Sequence, residues 1–460
     1  MSDQLSSAIQ FAHDERNRFL SELINWLKIP SVSTDPDRQP DMAKTAEQLA
    51  DKLRLIGCKN VQVFPTPRHP VVFGEILEAG DQAPTVLIYG HYDVQPPEPL
   101  AEWKSGAFEP SIRDEWLYAR GASDMKGQVM ASVFAVESIH RFGKLPVNIK
   151  FMIEGEEEIG SPSLTEFMRS HKELLACDVA LNPDAGMIAP EIPTIIYSLR
   201  GLAYFELRVY GPEHDLHSGL FGGVVHNPAV VLADLISGMH DSEGRITLPG
   251  FYDSVRNLTH QERIELARLP LDDKYYLDRT GAPALWGEAG YTSNERVGAR
   301  PTLDVNGLYS GFTGQGSKTV IPSWAMAKIS MRLVPDQDHN DVHKQLLKYL
   351  EEKAPKTVRW ELIPFSGGPA SISDINTPAT HALYKAMKAV WGKDPVYKRE
   401  GGSVPVVADM QEILGIESVL TGFGLPDDCI HAPNEHLQLP VWYQGIDALI
   451  HFFMYYGSKS

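Results

Sequence analysis

The sequence predicts an α/β fold: a mostly parallel sheet flanked by helices, with an α+β domain inserted into it. Three observations carry that expectation. Helical and strand patterns alternate up to about Pro183, the rhythm of parallel strands joined by crossover helices. After Ile192-Pro193 the texture changes to strands of period two, as in antiparallel sheets with one wet face. At 460 residues the chain is also too long for one ordinary core, so two domains are the default.

Apolar residues recur at helical spacing from Leu5 to Leu27, and the segment stops before Ile29-Pro30, because a residue preceding proline resists the helical region. Thr85 to Tyr89, Val147 to Ile153 and Asp178 to Leu181 read as short buried strands, apolar and rich in β-branched residues. Gly127 to Phe142, rich in Ala and Val, reads as a helix covering one sheet face. Ala203 to Tyr210 and Ala327 to Leu333 alternate like half-buried antiparallel strands. Between them lie a helix from Pro228 to Met239 and a long irregular stretch from Thr247 to Pro301. Thr377 to Trp391 returns to a helix, and Ser418 to Thr421 to a buried strand. The first domain is therefore expected over residues 1–193 and 371–460, with the second inserted at 194–370.

Hydrophobic residues make up 43% and charged residues 22%, an ordinary globular composition. The net charge of −18 argues against nucleic acid or an anionic membrane as partner, since both call for a basic surface. Cys58, Cys177 and Cys429 are few, odd in number and widely spaced, which suits a reducing compartment without disulfides. Met1-Ser2-Asp3-Gln4-Leu5 offers neither the basic start nor the apolar core of a signal peptide. No apolar run approaches the length of a membrane span. The expectation is a soluble cytoplasmic protein.

The most informative stretch is Ile153-Glu154-Gly155-Glu156-Glu157-Glu158-Ile159-Gly160-Ser161, where carboxylates crowd behind an apolar strand. A solvated charge run is one reading. The other follows from position, because α/β proteins build their sites at the C-terminal ends of parallel strands. There the mutual repulsion is most easily offset by bound cations, which favour oxygen and imidazole ligands.

Four more clusters sit at strand ends or in loops: Gly90-His91-Tyr92-Asp93, Gly121 to Gly127 around Asp124, Asn182-Pro183-Asp184-Ala185-Gly186, and Cys429 to Glu435 around His431. His91 and Asp93, two apart in extended backbone, share a face, and a carboxylate is a usual holder of a ligating imidazole. Each cluster has a plainer alternative. His91 could be a turn histidine, Asp124 a helix N-cap, Asp184 an Asx-turn residue and His431 a surface loop residue. Five such clusters behind strands of one sheet favour a shared site.

On these motifs the chain resembles the co-catalytic dimetal peptidase family of carnosinases, cytosolic non-specific dipeptidases, aminoacylases and succinyl-diaminopimelate desuccinylase. His91-Tyr92-Asp93, Ser123 to Gly127 and Glu154-Gly155 through Gly160 match the family signatures. Leu216-His217-Ser218-Gly219, Lys318 to Pro322, Arg332 to Pro335, Arg399 to Ser403 and the long Thr247–Pro301 insertion resemble the dipeptidase branch. The resemblance implies a metallodipeptidase acting on small peptides with a free C-terminus, and an inserted domain serving as lid and dimerisation element.

Residue by residue, the resemblance makes Asp124 a bridge between two divalent metal ions, with His91 and Asp184 completing one site and Glu158 and His431 the other. Zinc, manganese and cobalt all suit such donors. Glu157 would be the general base, Asp93 the holder of His91, and the Asp124-Met125 peptide would be cis. Glu154 and Glu156 would lie behind the ligands or on the surface. Arg332, Thr319 and Ser403 would hold the substrate carboxylate, for which a guanidinium fork is well shaped. His217 would stabilise the oxyanion from the other subunit of a homodimer, although a capping or packing histidine is the plainer reading. Cys429 reads as a small packing residue.

The carnosinases carry a histidine in the segment matching Phe365 to Ala370, and this chain has none there, which speaks against carnosine-like specificity. An N-acyl-amino-acid deacylase using the same site is the alternative activity. Asp184 favours the dipeptidase, because the deacylase and carboxypeptidase branches tend to carry Glu at that position. A catalytically dead scaffold is disfavoured by the complete set of candidate ligands.

Overall fold

A computed structural model describes residues 2–402 and 404–458. The chain forms two compact units: Met1–Tyr197 with Ser373–Tyr397 and Val406–Ser460, and Ser198–Ile372 with Lys398–Pro405. The first break falls a few residues beyond 193, and Lys398–Pro405 joins the second unit instead of the first. Backbone contacts account for the second difference. Arg200 donates from its backbone N to Gly402 O and from Nε to Gly401 O, both at 3.0 Å, and Arg399 pairs with Glu262.

In the first unit, neighbouring strands run Lys59–Phe64, Val71–Ile76, Asn148–Glu154, Thr85–His91, Val179–Asn182, Glu417–Leu420, Thr194–Leu199. The centre is parallel: Ile88 pairs with both Phe151 and Leu181, and Leu420 with Asn182. The outer Val71–Ile76 and Lys59–Phe64 strands are antiparallel. Asn148–Glu154 is buried along its whole length, which explains why it reads as a continuous apolar run.

Helix Lys126–His140 is apolar almost all round because it packs between the sheet and three outer helices, Ser2–Asp14, Arg16–Leu27 and Leu439–Tyr456. Phe19 stacks on Phe134 with ring centroids 4.0 Å apart, and Trp442 meets the same ring edge-on at 6.1 Å. Burying each such side chain stabilises the fold by about 1.5–3 kcal/mol. The single helix expected from Leu5 to Leu27 is two, Ser2–Asp14 and Arg16–Leu27, broken at Glu15. The Phe11 and Phe19 rings meet edge-on across that break at 6.3 Å.

The second unit holds a four-stranded antiparallel sheet ordered Thr302–Ser310, Trp324–Leu333, Gly201–Tyr210, Arg359–Gly368. Alternate residues Ala327, Ile329, Leu207 and Val209 form its core with Leu232 and Leu346 of helices Pro228–Ser237 and His339–Lys353. The Thr247–Pro301 stretch is not irregular throughout. It contains helices His260–Ala267, Asp273–Thr280 and Ser293–Ala299, the first and last opened by capping boxes at Thr259/Glu262 and Thr292/Glu295. No helix among the described residues is long and apolar enough to cross a membrane.

Candidate metal centre

Parallel register brings the acidic turn to its partners. His91 ends its strand level with Glu154 on the neighbouring one, so both loops leave the sheet at the same end. Behind Glu154, Glu157–Ile159 makes one helical turn, closed by Gly160 at φ 84°. Gly155 is needed there, since a Cβ would meet the Tyr92 hydroxyl at 2.4 Å. Asp184 follows Val179–Asn182, its N–H donating to Asn182 Oδ1 at 2.8 Å. Asp124 stands at the foot of helix Lys126–His140, and its peptide bond to Met125 is cis. His431 comes from a loop in which Cys429, His431 and Asn434 all have positive φ. Such conformations persist only where surrounding contacts over-determine them.

These elements converge in two triads that share Asp124. His91, Asp124 and Asp184 form one, Asp124, Glu158 and His431 the other, with the donor atoms of each within 4.8 Å of one another. Asp124 Oδ1 lies 3.2 Å from His91 Nε2, while Oδ2 lies 2.9 Å from His431 Nε2. Asp184 Oδ2 is 3.9 Å and Glu157 Oε2 4.0 Å from His91 Nε2, and Glu158 Oε2 is 3.4 Å from His431 Nε2.

The electrostatics call for positive charge. Burial pushes Asp184 and Glu158 each up to about 8, with neighbouring carboxylates adding to the effect. Burial also raises Glu157, assisted by Asp124 and Asp93 against the pull of His91. Asp124 goes the other way, because hydrogen bonds from His431 and His91 overcome its burial. The Asp124 contact raises His431 to about 9. Burial opposes charge on His91, yet Asp124 and Asp93 outweigh it and hold the imidazole well above its usual range. Carboxylates pushed toward neutrality beside nitrogen donors are a set that divalent cations fit, since the ions supply the missing charge.

Behind the triads, Asp93 accepts the backbone N–H of Glu157 at 3.2 Å and of Glu158 at 3.1 Å. Gln95 Nε2, which no motif marks, donates to Glu158 Oε2 at 2.7 Å. Glu154 and Glu156 are not on the surface: both are buried. Glu154 accepts from the Tyr89 and Ser161 hydroxyls, each at 2.8 Å, and Glu156 from Thr66 Oγ1, His69 N and Ser163 N. Cys429 is no packing residue, being exposed in the strained His431 loop.

The remaining candidates lie in the second unit. His217 and Thr319 stand together, as Leu216–His217 pairs with Val320–Ile321 and Ser218 N donates to Thr319 O at 3.1 Å. His217 is exposed, and its Nδ1 accepts from Gly219 N at 3.0 Å. That is the capping role of the plainer reading, and it leaves the proton on Nε2 as an outward donor. Arg332 is half-buried on its strand, opposite Thr302 and Leu202, and lines a cavity of about 610 Å³ with Arg200. Ser403 lies outside the described residues.

The sequence matches the model of Peptidase family M20/M25/M40 over residues 87–455. The chain belongs to this family. It is a hydrolase of the metallopeptidase class. It is 31% identical to the Cys-Gly metallodipeptidase DUG1 of Candida albicans, over 96% of this chain and 95% of that protein. It is likewise 31% identical to the human Beta-Ala-His dipeptidase, over 98% and 92%. Among solved structures, an M20 family metallo-carboxypeptidase, Sso-CP2 of Sulfolobus solfataricus, superimposes with a TM-score of 0.83 at 34% identity, covering 95% of this chain and 99% of that one. Human carnosine dipeptidase 1 gives 0.80 at 30% identity, over 98% of each chain.

Proposed function

We propose that this M20 protein is a homodimeric dipeptidase of the cytoplasm, hydrolysing small peptides with a free C-terminal carboxylate by means of two divalent ions bridged by Asp124. The observation that carries this reading is the split posture of Asp124, whose two oxygens each face a different histidine. His91 and Asp184 would hold one ion, Glu158 and His431 the other. Two such ions, zinc, manganese or cobalt, would lower the pKa of water toward about 7 and polarise the scissile carbonyl.

The chain's own groups do the rest. Glu157 Oε2 takes the proton of the attacking water and delivers it to the leaving amine. Asp93 keeps the proton of His91 on Nδ1, through its backbone carbonyl at 3.0 Å with its carboxylate at 3.4 Å, so that Nε2 would be free to hold an ion. Arg332, Thr319 and Ser403 hold the substrate carboxylate, and Arg200 beside Arg332 adds positive charge to that cavity.

His217 of the partner subunit donates from Nε2 to the oxyanion. Leu220 and Val224, close to His217 in sequence, are 74% and 82% exposed, and such an apolar surface supports a subunit contact. Three free cysteines support the reducing compartment.

A panel of dipeptides, longer peptides and N-acyl amino acids, assayed with Zn²⁺, Mn²⁺ and Co²⁺, tests the reading. Cleavage of dipeptides with a free amine is expected. Turnover confined to N-acyl amino acids would make the protein a deacylase. Strong preference for longer peptides would make it a carboxypeptidase.

A further inference from the structure

We infer that Glu435 is the positioning residue that sets Asp124 between its two triads, acting through a cradle of backbone N–H groups closed around its carboxylate. The inference rests on the dimetal reading and extends it to a side chain outside both triads. Glu435 is completely buried. Its Oε1 accepts from the backbone N–H of Ser123 and of Asp124, both at 3.0 Å. Its Oε2 accepts from Gly121 N at 2.9 Å and from Arg120 Nη1 at 2.7 Å.

The loop is shaped to make those donors converge. Gly121 sits at φ 84°, and a Cβ there would meet Val94 Cγ1 at 2.7 Å. Backbone N–H groups of one loop converging in this way form an anion-binding concavity, and here its anion belongs to the protein. A second tie fixes the same loop: Ser123 Oγ donates to Asp428 Oδ2 at 2.6 Å. A buried ion pair serving stability alone would account for Arg120, but not for three backbone donors gathered on the same carboxylate.

The cradle also joins two ligands far apart in sequence. Asp124 and His431 meet in one triad although 307 positions separate them. Glu435, in the His431 loop, grips the N–H of Asp124 itself, so one carboxylate fixes the approach of both. Asp124 serves both triads, so slackening it weakens both ions together.

Glu435→Gln keeps the shape but turns one acceptor into an NH₂ group facing donors. Equilibrium dialysis of the metal-free protein against Mn²⁺ and Zn²⁺, with its melting temperature recorded, reads the effect. Affinity for both ions should fall roughly 10–100-fold, the usual cost of losing a partner behind a metal ligand. Glu435→Asp keeps the charge and draws the oxygens back by one methylene. It carries the test, with a loss of the same sign, if the Gln variant does not fold. A folded variant that melts lower yet binds both ions as tightly as the unaltered protein overturns the inference and leaves Glu435 a stabilising residue. An unaltered protein that binds fewer than two ions overturns the dimetal reading itself, and this inference with it.

Discussion

His91 Nδ1 lies 3.4 Å from Asp93 Oδ1, and neither side chain is exposed at all. The same carboxylate accepts the N–H groups of Glu157 and Glu158. It therefore sets one candidate ligand and the turn that carries the proposed base and a second ligand. Asp93→Asn keeps the shape and the backbone carbonyl that His91 Nδ1 meets at 3.0 Å, but removes the carboxylate charge beside that ring and beneath the Glu157–Glu158 turn. Affinity for metal ions and kcat should both fall about 10–100-fold, read by metal titration and initial rates.

Glu157→Gln separates chemistry from coordination. The variant should retain two ions per chain by elemental analysis while turnover falls by about 10²–10⁴-fold. Loss of an ion would mean that Glu157 is the ligand and Glu158 the base.

Metal removal should make stability pH-dependent in a set direction. Asp184 and Glu158 are raised to about 8 and His431 to about 9, so the folded metal-free protein holds protons that the unfolded chain releases. Stability from the two carboxyls is fully present below the ordinary carboxylate range and is lost as pH rises toward about 8. The imidazole contribution is lost as pH passes about 9. The melting temperature of the chelated protein should therefore fall between pH 6 and pH 9. Metal added at pH 7 should release protons into a weak buffer, seen with an indicator dye. A chelated protein that grows more stable over that range would contradict the charge balance drawn here.

How much of this was legible in the sequence differs from residue to residue. His91, Asp184 and Glu158 could be picked out because apolar strands end at or just before them, whereas Asp124, at the start of a helix, and His431, in a long loop, stood out because their motifs resemble a family. The buried state of Glu154 and Glu156 was not legible, since their donors include Tyr89, Thr66 and His69 from 65 to 90 positions away. A run of acids looks the same whether water or protein solvates it. The three helices within Thr247–Pro301 lack a broad apolar stripe, and only Thr259-His260-Gln261-Glu262 and Thr292-Ser293-Asn294-Glu295 announced two of them. Helix Leu439–Tyr456 is buried along most of its length, so no polar face marks its period. Cys429 misled because cysteine is usually buried, and nothing local signals a positive φ in such a residue.

The shared-site proposal makes a prediction of its own. His217→Ala should keep its metals and its dimer and lose most of its activity. Mixed with Glu157→Gln under conditions that exchange subunits, it should recover activity, because one cleft then carries both lesions and the other neither. Exchanged dimers that remain inactive would place His217 in its own chain's cleft or outside the chemistry.

The central claim is that Asp124 joins two ions into one hydrolytic centre. The most direct test titrates metal-free protein with Mn²⁺ or Zn²⁺ while following dipeptide hydrolysis and bound metal in the same samples. Activity should rise with occupancy and level off at two ions per chain, and Asp124→Asn should bind both ions weakly and stay inactive throughout. Full dipeptidase activity at one ion per chain, or two ions retained tightly by Asp124→Asn, would contradict it.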